Sequence, residues 1–299
     1  MGSARFGKVL TAMVTPFTDA GDLDLDGAAT LARWLAAQGN DGLVLAGTTG
    51  EAPTLTDDEK VALWETVRAA VDVPLLAGSG SYDTRHTIEL SRRAATTGVD
   101  GLLVVTPYYN RPTQAGLDAH FRALAEAVDL PIVVYDVPGR TGRAMSVDTH
   151  VRLANEVPSI VGLKDARGNP TEAAAIIAGA PDDYDHYSGD TGLTLPLLAV
   201  GAVGVVGVCT HWTTRLHVEM IAAFDKGDVV TAREINARLL PSYAVESSET
   251  WVHAGAAKAA LAALGQPSGP CRPPMPPLGD DLHRAVRQVL EDLGSDADG

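Results

Sequence analysis

A lysine closes a short apolar run in the segment "GLKDARGN". The run begins at Ile160 and ends at Lys164, where a buried strand would otherwise exclude charge. Because burial disfavours the ammonium form, we expect the pKa of this amine to lie below its ordinary value of about 10.4. A neutral amine attacks ketones and forms Schiff bases, so Lys164 is a candidate nucleophile. The alternative is a structural lysine paired with Asp165 or Asp136.

Hydroxyl and guanidinium groups follow other apolar runs in the same way. Schiff-base chemistry needs a proton shuttle, and Thr48, Tyr109 and Tyr135 could form a hydroxyl chain for it. Each tyrosine alone is more often an ordinary core or interface residue, but the three residues together favour a shared site. Arg140 in "YDVPGRTG" and Gly189 in "SGD" also come after apolar runs.

Eight short apolar runs recur along the first two thirds of the chain, separated by longer stretches. Most are continuously apolar, as expected for parallel strands covered on both faces. The stretches 26–38 and 57–70 are amphipathic, and the second follows Thr56 with Glu59 three residues on, the pattern of a helix capping box. The runs are 9–14, 42–47, 74–78, 101–105, 131–135, 160–164, 186–188 and 204–208, and 186–188 is the weakest strand prediction.

This alternation predicts a (β/α)8 barrel, an α/β fold. A doubly wound open sheet is the alternative. Against it, no G-x-G-x-x-G follows the first run, and the repeat continues past the five or six strands that are typical of that class. In a barrel the loops after the strands build the active face, so we expect Lys164 and the hydroxyl groups to meet on one rim.

The last quarter of the chain has a different pattern. It becomes helical from about residue 225, which predicts a barrel domain over 1–224 and a helical domain over 225–299. The Pro- and Gly-rich segment 265–279 interrupts this region before a last amphipathic helix over 280–293. We expect the acidic tail "GSDADG" to be disordered.

Composition limits the classes of function. The 299 residues are 45% hydrophobic with a formal net charge of -15, which allows a substantial core and argues against a nucleic-acid partner. No charged and then apolar leader opens the chain, and no apolar run approaches the ~20 residues that span a bilayer, so no membrane partner is expected. Cys209 and Cys271 stand alone, which favours a reducing, cytoplasmic location.

Metal and nucleotide sites are not indicated. His211 and His217 lie six residues apart, whereas neighbours on one helix face lie three or four apart. The glycine-rich turns lack the G-x-x-x-x-G-K-[ST] spacing of a phosphate loop. We therefore expect neither a metal nor a nucleotide cofactor.

Five motifs resemble those of a known family, the 4-hydroxy-tetrahydrodipicolinate synthases (dihydrodipicolinate synthases) of lysine biosynthesis. The resemblance extends from "GKVLTAMVTPF" to the C-terminal helices. It implies a (β/α)8 barrel with a C-terminal helical extension, usually a homotetramer built as a dimer of tight dimers. It also implies a cofactor-free condensation of pyruvate with L-aspartate 4-semialdehyde. The motifs are "GTTGEAPTLT", "TPYYNRPTQAGL", "YDVPGRTG", "GLKDARGN" and "YSGD".

The resemblance also implies catalytic roles for four residues. Lys164 matches the lysine that forms the imine with pyruvate, and Tyr135 matches the phenol that donates and accepts protons. Thr48 and Tyr109 match the other members of the proton relay. In the family, the residue that corresponds to Tyr109 reaches the site across the tight dimer interface.

Four more positions match residues that bind substrate. Thr49 falls on the pyruvate-carboxylate position, and Val206 falls on an apolar position whose backbone lines the pyruvate site. Gly189 of "YSGD" belongs with them. Arg140 matches the arginine that receives the carboxylate of the semialdehyde, a task that suits a planar, permanently charged group.

Substrate preference is less constrained than the imine chemistry. Sialic acid lyases and other sugar-acid aldolases share the lysine and tyrosine but as a class lack an arginine placed like Arg140. The chain departs from the family at Thr191, where a second aspartate usually follows "SGD", and in "GVCTH" up to His211, where Ser and Asn are commoner. The alternatives are another Schiff-base pyruvate aldolase or dehydratase of the superfamily, and a paralogue that binds a keto acid without turnover.

Regulation by lysine is a separate question. Lysine-sensitive family members bind the amino acid in a cleft at the tight dimer interface. Here Lys60 would bring a second ammonium towards the ligand's own and repel it, and His86 stands where a carboxylate would otherwise attract that ammonium. We therefore expect little inhibition by millimolar L-lysine. The alternative is that Lys60 is solvated and points away from the cleft. The residues at the matching positions are Ala52, Pro53, Lys60, Tyr82 and His86.

Overall fold

The computed structural model describes residues 4–246, 248 and 250–294. Eight parallel strands form a closed barrel, in which each strand pairs with the next along the chain and the last pairs with the first. Every predicted strand is present, including the weakest one, so the barrel prediction is confirmed and the open sheet was the wrong alternative. The strands are β1 Val9–Ala12, β2 Gly42–Leu45, β3 Leu75–Gly78, β4 Gly101–Val105, β5 Ile132–Asp136, β6 Ile160–Asp165, β7 Asp185–Ser188 and β8 Gly204–Gly207.

Helices surround the barrel and form the C-terminal region. Two short 3₁₀ turns, Ala52–Thr54 and Thr191–Leu193, follow β2 and β7. The helices are α1 Leu25–Ala37, α2 Asp57–Ala70, α3 Thr84–Ala95, α4 Gln114–Ala127, α5 Pro138–Thr141, α6 Val147–Glu156, α7 Pro170–Gly179, α8 Thr194–Leu198, α9 Thr210–Asp225, α10 Val229–Glu246, α11 His253–Ala263 and α12 Asp280–Asp292.

The strands are packed on both faces. Inside the barrel, Val44, Leu76, Val133 and Val206 form part of one buried cluster. Residues that alternate with them, such as Leu43, point outward into a larger cluster shared with the helices. This double burial explains why the strand sequences are continuously apolar.

Helix α2 begins at the capping box that the sequence predicts. The Thr56 hydroxyl accepts a hydrogen bond from the Glu59 N–H at 3.2 Å, and the Glu59 carboxylate accepts one from the Thr56 N–H at 2.8 Å. Such a cap contributes about 1 kcal/mol to helix stability. It fixes where the chain leaves the loop that follows β2.

The C-terminal helices α10, α11 and α12 pack against one another, and α10 and α11 also pack against α9. The helical pattern predicted from about residue 225 is therefore present. The division into domains 1–224 and 225–299 stays a prediction, and of the predicted disordered tail, residues 295–299 lie outside the described residues. Within the described part of the chain, no helix is both long enough and apolar enough to span a membrane.

Candidate active site

Lys164 and Tyr135 lie side by side at the ends of β6 and β5. They are register partners in the sheet, and the Lys164 Nζ lies 4.4 Å from the centre of the Tyr135 ring. Paired residues of neighbouring parallel strands point to the same face, so both side chains enter the interior of the barrel. Both are buried, at 4% and 6% exposed.

Burial changes the pKa of the Lys164 amine. Loss of hydration is the main cause and lowers the pKa from 10.5 to about 7; the negative charge of Glu246 opposes the fall and the positive charge of Arg140 adds to it. A large fraction of the amine is therefore neutral near neutral pH. The neutral amine is the form that adds to a carbonyl carbon.

The two aspartates considered as partners of Lys164 face the other way. Successive side chains alternate along a strand, so Asp136 and Asp165 point outside the barrel. Asp165 forms an ion pair with Arg167 at 2.7 Å, and Asp136 contacts His150 at 3.1 Å. The structural pairing of Lys164 with either aspartate is therefore not formed.

The hydroxyl of Tyr135 faces the loop after β2. Burial raises the pKa of this phenol, while the charge of Arg140 and a hydrogen bond with the Thr48 side chain oppose the rise. Thr48 is exposed and the adjacent Thr49 is buried. The fold thus brings a threonine hydroxyl, a phenol and an amine together at one rim of the barrel.

A buried ion pair stabilises the loop that carries Thr48. Ala46 and Glu51 have left-handed backbone angles, with φ of 53° and 55°. The Glu51 carboxylate pairs with the Lys258 ammonium of α11 at 2.7 Å and accepts a hydrogen bond from the Arg272 N–H at 2.8 Å. The C-terminal region therefore helps to hold the loop in place.

Gly189 and Val206 shape the space around Lys164. A Cβ at Gly189 would lie 2.9 Å from the Lys164 Cγ, so a larger residue would displace the lysine side chain. The Gly189 N–H donates to the Asp165 carbonyl at 2.7 Å, which joins the ends of β7 and β6. Val206 is fully buried in the interior cluster that also contains Tyr135.

Tyr109 lies apart from this group within the single chain. It is 90% exposed and has a φ of 67°, which is uncommon for a residue other than glycine. Nearby, the Tyr82 and Tyr108 rings pack edge to face with centres 5.4 Å apart, and Tyr82 is 54% exposed. Because it is exposed, Tyr109 does not pack against Lys164 in its own chain.

Arg140 lies in the short helix α5, directly beyond β5. Its side chain is exposed, and its N–H donates to the Val137 carbonyl at 2.8 Å. Its charge acts on both Lys164 and Tyr135. The guanidinium therefore contributes positive potential to the mouth of the site.

Two residues near the site, Glu246 and His253 of the C-terminal region, were not predicted from the sequence. Glu246 is 4% exposed, and its charge acts on Lys164 and Tyr135. The His253 Nδ1 lies 4.0 Å from a Glu246 carboxylate oxygen. Neither residue follows a strand or belongs to a recognisable motif, so only the packing of the C-terminal helices onto the barrel reveals them.

Comparison with known proteins identifies the family. A sequence model of the Dihydrodipicolinate synthetase family matches residues 5–293. The chain belongs to this family. The curated 4-hydroxy-tetrahydrodipicolinate synthase of Acidothermus cellulolyticus is 52% identical over 294 residues, covering 98% of this chain and 93% of that protein. The one from Moorella thermoacetica is 46% identical and covers 97% and 99%.

Solved structures of dihydrodipicolinate synthases have the same fold. The enzyme from Cyanidioschyzon merolae, solved with lysine bound, has a TM-score of 0.95 at 41% identity and covers 98% of this chain and 99% of its own. A monomeric dihydrodipicolinate synthase variant has a TM-score of 0.92 at 35% identity and covers 96% of each chain. Together with the curated relatives, these matches support the synthase over the other aldolases of the superfamily.

The two departures from the dihydrodipicolinate synthase pattern have defined contacts. The Thr191 hydroxyl donates to a Glu246 carboxylate oxygen at 2.9 Å. The His211 Nε2 accepts from the Val14 N–H at 3.0 Å, and its Nδ1 bonds the Val208 carbonyl at 2.6 Å. Both ring nitrogens of His211 are thus occupied by backbone groups, which gives this histidine a structural role.

Proposed function

We propose that this chain condenses pyruvate with L-aspartate 4-semialdehyde to give 4-hydroxy-tetrahydrodipicolinate, the first step of the diaminopimelate and lysine branch. The observation that carries the proposal is the buried Lys164 amine, whose pKa is lowered to about 7, beside the Tyr135 ring. The family and the names of the curated relatives support this choice of substrates.

Lys164 is the proposed nucleophile. Its amine adds to the ketone carbon of pyruvate, a C–N bond forms, and the ketone oxygen leaves as water to give a protonated imine. Loss of a methyl proton converts this imine into an enamine, which attacks the aldehyde carbon of the second substrate. Attack of the second substrate's amine on the imine carbon then closes the ring and releases Lys164.

Tyr135, Thr48 and Tyr109 are the proposed proton relay. The hydrogen bond between Thr48 and Tyr135 supplies one link within the chain. The exposed Tyr109 would supply the other from a second copy of the chain, as the family resemblance implies. Positioned acid and base groups of this kind contribute about 10²–10⁴ in rate.

Four residues are proposed to bind the two substrates. Thr49, Gly189 and Val206 line the position of pyruvate, where a hydroxyl donor and close backbone groups fit a keto acid. Arg140 binds the carboxylate of the semialdehyde at the mouth. No cofactor is required, because the lysine itself supplies the electron sink.

We propose a homotetramer, a dimer of tight dimers, in which the aromatic surface of Tyr82, Tyr108 and Tyr109 forms the tight interface. The exposure of Tyr82 and Tyr109 supports this assembly, which sedimentation tests directly. A cytoplasmic location agrees with the isolated cysteines and is tested by cell fractionation.

A substrate panel tests the proposed function. Purified protein is given pyruvate with either L-aspartate 4-semialdehyde or sugar-derived aldehydes, and product formation is followed by mass spectrometry. We expect turnover with the semialdehyde. Preference for a sugar aldehyde would instead identify another aldolase of the superfamily, and imine formation without turnover of any aldehyde would identify a keto-acid-binding paralogue.

A further inference from the structure

A buried carboxylate of the C-terminal region lies at the same rim of the barrel as Lys164, and its charge acts on that lysine. Glu246, the last residue of α10, is 4% exposed. One of its oxygens accepts a hydrogen bond from the Thr191 hydroxyl at 2.9 Å, and the other accepts one from the Cys209 N–H at 2.9 Å. These two donors follow β7 and β8, so they hold the carboxylate at the rim where Lys164 lies.

The position of this carboxylate explains one residue at which the chain differs from the family pattern. Thr191 stands directly after "SGD", where the resemblance leads us to expect a second aspartate. The threonine instead orients a carboxylate from another part of the chain. A negative charge is therefore kept near the same point, although it comes from Glu246.

The charge of Glu246 is incompletely balanced by its neighbours. The nearest imidazole, His253, lies 4.0 Å away, and burial, together with the charges of Arg140 and Lys164, lowers the pKa of His253 to about 4, so the ring is neutral near pH 7. A buried carboxylate without a cation is costly. Glu246 favours the ammonium form of Lys164, which can supply the opposite charge.

We propose that Glu246 is a positioning residue of this site, whose carboxylate stabilises the positive charge on the Lys164 nitrogen when the imine forms. The inference rests on the proposed function. When the amine adds to the ketone and water leaves, the nitrogen of the resulting C=N–H group is positively charged until a methyl proton is removed. The ionised carboxylate at the rim favours that cation without taking part in bond making, and the cation in turn favours the ionised form of Glu246.

Two of the titratable groups near Glu246 carry no charge near neutral pH. Burial raises the pKa values of the Cys209 thiol and the Tyr243 phenol, so both are neutral. Burial also raises the pKa of Glu246 to about 7, and its hydrogen bonds with Thr191 and Cys209 oppose that rise. The titratable and charged groups that act on Glu246 or Lys164 are Tyr135, Asp190, Cys209, Tyr243, His253 and Arg140.

Borohydride trapping with pyruvate over a pH series tests the proposal in the full-length protein. Glu246→Gln removes the anion at nearly constant volume, so the amine loses protons more easily. We expect the acid side of the profile of trapped adduct against pH to move to lower pH by roughly one unit. We also expect the pyruvate concentration for half-maximal trapping to rise about tenfold. A residue with a structural role alone would reduce the amount trapped without moving the acid side of the profile.

Thr191→Val is the matched second variant, because it keeps the carboxylate but removes one of its hydrogen bonds. We expect a smaller shift in the same direction, and no further shift when it is combined with Glu246→Gln. If Glu246→Gln fails to fold, Thr191→Val carries the test by itself. Wild-type pH profiles and pyruvate dependence in the folded variants would overturn the role of Glu246, whereas absence of trapping in the wild-type protein would overturn the proposed function.

Discussion

Lys258 of α11 and Glu51 of the loop after β2 form an ion pair at 2.7 Å in which the two side chains are 0% and 1% exposed. The Lys258 ammonium also donates to the Pro270 carbonyl at 2.7 Å and lies 4.2 Å from the centre of the Phe17 ring. The same loop carries Thr48 and Thr49. The C-terminal region therefore stabilises a loop at the rim of the barrel.

Breaking this pair should destabilise the protein strongly. Lys258→Met leaves the Glu51 carboxylate buried without its cation, and we expect a loss of about 3–5 kcal/mol in the free energy of unfolding. The control is Lys8→Met, which removes a more exposed ion pair with Asp225 and should cost at most about 1 kcal/mol. Urea unfolding of both variants at one protein concentration measures the difference. Equal losses would contradict the role given to the buried pair.

Tyr135→Phe should slow turnover while keeping the ring in the interior cluster. The change deletes the hydroxyl that bonds Thr48, so we expect kcat to fall by about 10²–10⁴ with little change in the thermal unfolding temperature. Steady-state kinetics and calorimetry measure the two quantities. A variant with the wild-type rate would remove Tyr135 from the relay.

Mixing two inactive variants tests whether Tyr109 acts in a neighbouring subunit. In a mixed dimer of Tyr109→Phe and Lys164→Ala chains, one site combines an intact Lys164 with an intact Tyr109 from its partner. After unfolding and refolding together, we expect roughly a quarter of the wild-type activity for random pairing. The control mixes Tyr109→Phe chains with chains that carry both Tyr109→Phe and Lys164→Ala, because no mixed dimer of these chains has a complete site. No gain over that control would show that Tyr109 does not cross the interface.

L-Lysine should inhibit this enzyme weakly. Lys60 is 8% exposed, so it is not the solvated lysine considered as an alternative; its ammonium lies 3.7 Å from Asp57, which also contacts His86 at 2.8 Å. Like charges a few ångströms apart repel by about 4 kcal/mol at an effective dielectric of ~20, and Asp57 offsets part of this. We expect half-inhibition above millimolar lysine at saturating pyruvate, and stronger inhibition of Lys60→Ala. Sub-millimolar half-inhibition of the wild type would contradict this argument.

The sequence predicted the barrel well because its signal is local and repeated. Each strand is an apolar run between helices, and even the short run 186–188 is recognised by its place in the repeat. Lys164 stood out because a charged residue ended one of these runs. Its proximity to Tyr135 followed from the fold class, since both residues end neighbouring strands.

Contacts between segments that are distant along the chain could not be predicted from the sequence. Glu246 and Lys258 lie in helices whose pattern shows that they are helical but not where they pack, so their proximity to Lys164 and Glu51 could not be predicted. The exposure of Tyr109 also depends on backbone geometry, a left-handed φ that its residue type does not favour. Such positions depend on tertiary packing, for which local propensity carries no information.

Peptide mapping of the borohydride-reduced pyruvate adduct identifies the residue that forms the Schiff base. We expect one adduct, with the mass of pyruvate less water plus two hydrogens, on the peptide that contains Lys164. We also expect initial trapping to rise with pH around a midpoint near 7, because the neutral amine is the reactive form and its pKa is lowered to about 7. Lys164→Ala should give no adduct. An adduct on a different lysine, or undiminished trapping in Lys164→Ala, would contradict the Schiff-base mechanism.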